Sequence, residues 1–280
     1  MNVTNYWRHI SEIEQQIAEL RLDAIVMGLG PTAHLMPWID RKLLHGIRIW
    51  GAHDGERVGF HINDLVLIDS PVESKRLFPN GDAYQYVVKS RPDRLWVYEP
   101  FFPRWQPHLH TSMLSVTKTV PMHVWHQPGK AGKGWLDQVQ LVADPIHTVF
   151  ISPTGTTALA WREGCRRIGV IGVDMRPWEH NSSPKAPFVD KFFCRFADQA
   201  HERGGLIANL SPISSLVKFR SWKPSVSSSA PTDGSGTPEP NLPSNTASAP
   251  ALPVTSTSSG CEQAIQVGKS AGTVPAAPGG

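Results

Sequence analysis

The sequence predicts an α/β domain with a mostly parallel sheet and helices on both faces, followed by a disordered C-terminal tail. Three observations carry this. Short apolar runs of strand length recur at 23–27, 46–53, 64–71, 168–174 and 206–211, and continuous runs of this kind suit strands covered on both sides. Segments of helical periodicity alternate with them. From Lys223 the composition changes to Ser, Pro, Ala and Thr without any periodicity, and such a chain cannot offset the entropy of ordering itself. Alternating elements of this kind predict a Rossmann-like domain over residues 1–222 and a tail over 223–280.

Each element can be justified in order. Ile10, Ile13, Ile17 and Leu20 recur at helical spacing, which predicts a helix over 7–21 with charged and amide residues outside. DAIVM then leads into GLGPT, in the order strand, glycine turn, new segment opening at Pro31-Thr32. GIRIWGAH and DLVLIDSP read as two further strands. Residues 72–147 are rich in aromatic residues and proline and are expected to hold further strands together with an irregular lid or insertion; Gly129–Gly134 alternates Gly with Lys130 and Lys133 and reads as a flexible loop. Order returns at PTGTTALAWREGCRRIGVIGVD, where a turn opens a helix that leads into a strand. A helix over 187–203 follows, with Phe188, Phe192, Phe193 and Phe196 on an apolar face, then the strand LIANLS and the closing PISSLVKF.

Composition narrows the function. The chain has 27 basic and 24 acidic residues, a formal charge of +3, and no run of basic residues longer than two, so no extended nucleic-acid groove is expected. Cys165, Cys194 and Cys261 have no metal-finger spacing and are odd in number, which argues against a disulfide scaffold. No apolar stretch reaches the roughly 18 residues of a membrane span, and the N-terminus reads as an amphipathic helix rather than a leader. A cytoplasmic location is the expectation.

Several residues could carry chemistry. Gly28, Gly30, Pro31 and Thr32 follow a strand directly, where glycines let a backbone approach a ligand and N–H groups at a helix start favour anions; a tight turn alone has the same sequence. Pro153, Thr154, Gly155 and Thr156 open the second such helix, as phosphate or sugar donors or simply as caps. Asp174, after Gly172 in the strand IGVIGVD, and Asp69, before Ser70, end strands where carboxylates hold a ribose hydroxyl, a Mg²⁺ ion or a turn. His53 at a strand end and His180 beyond Asp174 are candidate general bases, since imidazole titrates near neutral pH; a loop histidine is otherwise only a surface residue.

The pieces GLGPT at 28–32, the strand leading to His53, LVLIDSP, PTGTTALAWREGCRRIGVIGVD and NLSPISSLVKF resemble, over about residues 22–219, a Rossmann-like superfamily. It contains the bacterial CMP-sialic-acid-dependent sialyltransferases and the 6-hydroxymethylpterin diphosphokinase-like proteins, some of them phage-borne. The sialyltransferase branch implies that Gly28 to Thr32, His53, Thr154 with Gly155, and Ser211, Pro212 and Ser214 surround the nucleotide of a CMP-sugar. That branch has asparagines where this chain has Leu29 and His53, and a catalytic histidine that finds no match near Lys185. The pterin-kinase branch implies ATP and Mg²⁺, with Asp69 and Asp174 on the ion. The resulting expectation is a nucleotide-dependent transferase that moves a glycosyl or (di)phosphoryl group to a hydroxyl acceptor. The alternative is a non-catalytic module that binds a nucleotide or small molecule, its tail free to engage a protein partner.

Overall fold

In a computed structural model of the chain, residues 3–52, 60–72, 92–125, 134–149, 152–175, 186–216 and 218–219 are described. The chain divides into Met1–Val226, which contains all of them, and Ser227–Gly280, which contains none. The expected tail over 223–280 therefore lies outside the described residues.

Helix α1 (Val3–Leu20) leads to β1 (Ala24–Met27), a 3₁₀ segment (Pro31–Trp38), β2 (Arg48–Ala52), β3 (Asp64–Leu67), β4 (Arg94–Tyr98), β5 (Thr117–Val120), β6 (Met122–Trp125) and β7 (Ile146–Val149). Helix α2 (Ser152–Arg162), β8 (Arg167–Ile171), helix α3 (Ala186–Glu202) and β9 (Leu206–Asn209) complete the order. Seven strands form one sheet in the order β5-β4-β3-β2-β1-β8-β9, and every pairing within it is parallel. A second sheet pairs β6 with β7, also in parallel.

Alternation along the strands sorts side chains into two cores. Val26, Trp50, Val66, Trp96 and Val170 face α2 and α3, where Phe192, Phe193 and Phe196 are fully buried. Ile25, Met27, Ile49, Leu65 and Val97 face the other way, against Ile10, Ile13, Ile17 and Leu20 of α1. Burial of each such side chain stabilises the fold by about 1.5–3 kcal/mol. The sequence expectation of a parallel sheet with helices on both faces is thus met, and α1 begins four residues earlier than the apolar periodicity indicates.

The stretch 72–147 holds the further strands expected of it. Its described part supplies β4 and β5, which extend the main sheet, and β6 with the start of β7, which form the second sheet. Residues 73–91 and 126–133, the Gly/Lys loop among them, lie outside the described residues.

The amino ends of the strands carry a charge cluster. Asp64, fully buried, accepts hydrogen bonds from Arg48 Nε, from Arg94 Nε at 2.7 Å and from Trp96 Nε1 at 2.9 Å. Both guanidinium groups also lie over the Trp50 ring, and Arg94 continues to Glu163 at 3.1 Å. A buried carboxylate needs such pairing, and losing one partner of a buried ion pair costs about 3–5 kcal/mol. Burial, with Asp23 and Asp64 nearby, also pushes the Cys165 thiol upward, so it stays protonated and unreactive.

On β6 and β7, His123 and His147 stand in register with ring centroids 5.6 Å apart. Burial, and secondarily the neighbouring His123, hold His147 below the usual imidazole value, and its Nδ1 accepts the Gln140 N–H at 3.0 Å.

Two expectations follow. Asp64→Asn should lower unfolding free energy by about 3 kcal/mol in urea titrations; a change below about 0.5 kcal/mol, the size of an ordinary surface substitution, would show that the cluster is not stabilising. For His147 the folded pKa is depressed, so the unfolded chain takes up a proton that the folded chain refuses as pH falls below about 6.5. Its stabilising contribution is complete above that pH and is lost on acidification, so His147→Gln should flatten the loss of stability between pH 7.5 and 5.

Candidate functional site

Parallel strands place their carboxyl ends along one edge, and strand order reverses at β1, which lies between β2 and β8. Ligand sites of open α/β sheets lie at such a reversal. The loops leaving this edge, with the first turn of α2, hold all the described residues to which the sequence assigns a ligand role. His53 and His180 lie outside the described residues.

Those residues fall into two groups. In the first, the Gly28 N–H donates to the Ile171 carbonyl at 2.8 Å and the Gly30 N–H to the Gly172 carbonyl at 2.7 Å. A Cβ on Gly28 would stand 2.4 Å from the Gly172 oxygen, and one on Gly30 would stand 2.8 Å from Asp174 Oδ2, so only glycine fits. Gly172 itself has φ of +74°, a left-handed conformation that other residues adopt only at a cost.

Asp174 is 1% exposed. Its Oδ2 accepts the Thr32 N–H at 2.8 Å and its Oδ1 the Thr32 hydroxyl at 2.5 Å. Since that hydroxyl proton is spent, the Ser211 hydroxyl, 2.8 Å away, donates to Thr32 Oγ1. The Gly172 N–H points at both oxygens, 3.1 Å from Thr32 and 3.0 Å from Ser211. Ser214 Oγ donates to the Val173 carbonyl at 3.1 Å and the Ser215 N–H to the Asp174 carbonyl at 2.7 Å. The glycine loop, the loop after β8 and the loop after β9 are therefore one hydrogen-bonded unit.

This arrangement uses the glycines for a purpose other than the one the sequence indicates. The N–H groups of Gly28, Gly30 and Thr32 turn inward to protein acceptors. The segment they open is a 3₁₀ helix that contains Pro31 and Pro37, and proline supplies no N–H for a longer α-helical ladder. Outward, the loop presents Leu29, exposed, and Pro31, half-buried.

The second group lies at the end of β3. Gly155 faces Ile68, the residue before Asp69 and Ser70, where an added Cβ would stand 2.9 Å from Ile68 Cδ1. Thr154 Oγ1 lies 2.7 Å from Thr148 Oγ1 and accepts the Val149 N–H at 3.2 Å, fixing the start of α2 to β7. The Thr156 hydroxyl donates to the Ser152 carbonyl at 3.0 Å. Ser152 and Pro153 are half-buried at the mouth of the helix, Asp69 is half-buried, and Trp105 Nε1 donates to the Asp69 carbonyl at 2.8 Å. The two groups sit on either side of β2, two strand spacings or roughly 10 Å apart.

Sequence reasoning missed Asn209 and Asp190. Asn209 Oδ1 accepts the Ser211 N–H and its Nδ2 donates to the Phe219 carbonyl. The Asp190 carboxylate accepts the N–H groups of Lys218 and Phe219. Both hold the segment that carries Ser211 and Ser214; the partners of Asp190 lie 28 and 29 residues away, too far for local pattern to reveal them, while Asn209 two residues before Ser211 is a local signal. Among the described residues no helix is long and apolar enough to cross a membrane.

No family model matches the chain. No curated protein matches it. Among solved structures it is similar to a variant of the α-2,3/8-sialyltransferase CstII, with 11% identity and a TM-score of 0.37, covering 71% of this chain and 85% of the other.

Thr32→Val keeps the shape of the side chain but removes the partner of Asp174 Oδ1 and of the Ser211 hydroxyl, and leaves the Gly172 N–H with Ser211 alone. It should destabilise the protein by about 2–3 kcal/mol in chemical denaturation. A fall smaller than about 0.5 kcal/mol would show that the three loops are not joined through this hydroxyl.

Proposed function

We propose that the chain is a nucleotide-dependent transferase, moving a glycosyl or (di)phosphoryl group from a nucleotide donor to a hydroxyl acceptor. The observation that carries this reading is the gathering of two sequence-selected groups on the carboxyl edge, one at the reversal of strand order between β1 and β8 and the other beyond β2 at the end of β3. A donor spanning roughly 10 Å would reach both groups.

In this reading the donor phosphates meet the start of α2, where the helix dipole and the first N–H groups favour negative charge. Pro153, Thr154, Gly155 and Thr156 shape that turn, and Asp69 and Ser70 meet the ribose or the phosphates. Gly28, Gly30, Pro31 and Thr32, with Gly172, Asp174, Ser211 and Ser214, form the wall against which the nucleoside rests, and their internal hydrogen bonds keep it rigid. His53 or His180 removes the proton from the acceptor hydroxyl.

A Mg²⁺ ion would neutralise donor phosphates. Among the described residues no cluster of three metal-ligating side chains exists, and both Asp174 oxygens are committed to Thr32. Asp69 is the other carboxylate assigned to such an ion, and no step is routed through it.

A second reading, a non-catalytic module that binds a nucleotide and docks a partner through its tail, is favoured by one observation. The N–H groups of Gly28, Gly30 and Thr32 and the Thr32 hydroxyl are spent inside the protein, so these groups meet a ligand by shape without donating to it.

A thermal-shift panel of CMP, CTP, UDP, ADP, ATP and their sugar conjugates, with and without Mg²⁺, tests both readings. Ligand at a hundred times its Kd stabilises the native state by about 2.7 kcal/mol, which should appear as a clear rise in Tm. Cytidine or uridine nucleotides would indicate glycosyl transfer, and Mg²⁺-dependent ATP binding would indicate phosphoryl transfer. Asp69→Asn should weaken donor binding about tenfold or more, a charge-assisted contact being lost. Binding without donor consumption would favour the second reading, and no shift with any nucleotide would overturn both.

A further inference from the structure

At the amino ends of β2 and β3, away from the edge discussed above, lies a cavity of about 340 Å³ lined by Pro37, Arg41, Leu44, Ile47, Ile49, Phe60, His61 and Asn63. We propose that it is a second ligand site, for a small organic anion with an apolar body about the size of one ring.

Size and lining support this class. The volume falls at the lower end of the ~300–1,000 Å³ typical of small-molecule sites, which are mostly apolar with a few placed polar groups. Leu44, Ile47, Ile49 and Phe60 supply an apolar surface belonging to the same core that α1 covers. The polar groups differ in what they have left to offer. Asn63 is engaged at both side-chain atoms: its Oδ1 accepts the Ile49 N–H at 2.9 Å and its Nδ2 donates to Asp93 at 2.8 Å. His61 is largely exposed and lies 3.9 Å from the same Asp93 carboxylate. Arg41, by contrast, has no hydrogen-bond or ion-pair partner for its guanidinium among the described residues.

Charge points the same way. Of the basic side chains in the lining, His61 faces Asp93, and Arg41 is a cation whose neighbour in the chain, Asp40, turns its carboxylate to the Lys42 N–H. Arg41 thus sets one positive group beside an apolar floor, which suits an anion with an apolar body better than a neutral molecule or a bare inorganic ion. A guanidinium fork matches a carboxylate or a phosphate ester, and both share this chemistry.

The test uses the full chain, labelled with ¹⁵N and titrated with benzoate, phenyl phosphate, benzyl alcohol and inorganic phosphate. Benzoate or phenyl phosphate should shift the amides of Arg41, Leu44, Ile47 and Ile49, and whichever binds more tightly identifies the head group. Benzyl alcohol and inorganic phosphate should bind about tenfold more weakly or not at all. Arg41→Gln, a change at an exposed position, should weaken the organic anion about tenfold while the rest of the amide spectrum is preserved. The proposal is overturned by the absence of shifts around the cavity with either organic anion, by equal binding of benzyl alcohol, or by an Arg41→Gln variant that binds as the parent does. None of the probes is a nucleotide, so failure here leaves the donor site to its own experiment.

Discussion

How closely the backbone leaving β1 passes the backbone leaving β8 sets the whole carboxyl edge. Gly28 and Gly30 are short of a side chain where the Gly172 carbonyl and the Asp174 carboxylate stand, and that contact brings Thr32 within reach of Asp174. Once Thr32 and Asp174 are joined, Ser211 is drawn in by the one acceptor position Thr32 retains. The third loop thus depends on the first two, and the crevice wall has few soft degrees of freedom. A rigid wall suits a site that recognises a ligand by shape, since little order has to be imposed on binding.

The opposite edge follows a similar rule with different chemistry. There the packing problem is a carboxylate, Asp64, placed inside the sheet, and register solves it: Asp64 is aligned with Trp50 on one neighbouring strand and with Arg94 on the other. The indoles of Trp50 and Trp96, stacked 6.2 Å apart, then support the guanidinium groups that neutralise it. One edge is fixed by close approach and hydrogen bonds, the other by paired charge, and the apolar strands between them are covered on both faces.

Much of this was legible from the sequence because its signals are local. The periodicity of Ile10, Ile13, Ile17 and Leu20 marks α1, and apolar runs mark β1, β2, β3, β8 and β9. What was not legible depends on distance along the chain. Strand β5 buries one side chain of its four, Val120, too little for an apolar run, and β4 is hidden among aromatic and proline residues. Asp64 reads as a strand boundary until Arg48 and Arg94 are brought beside it. The glycines of GLGPT are visible, but whether an absent Cβ makes room for a ligand or for another loop depends on residues 172–174, more than 140 positions away. The sequence therefore identifies the edge and its loops, while the direction in which their donors point is a tertiary fact.

The pairing of β1 with β8 also constrains the birth of the protein. This partnership is fastened at its far end as well, where Asp23 Oδ2 accepts the N–H groups of Arg166 and Arg167. The contacts that fasten β1 to β8 and their loops to each other join residues about 140 or more apart. On a ribosome adding residues at about 5–20 per second, β1 emerges many seconds before its partner. During that interval a fully apolar strand has one edge without its neighbour, the condition under which chains associate wrongly. Contacts so distant in sequence also make for slow folding. The pairing of β1 with β8 is thus both the point where strand order reverses and a late junction to close.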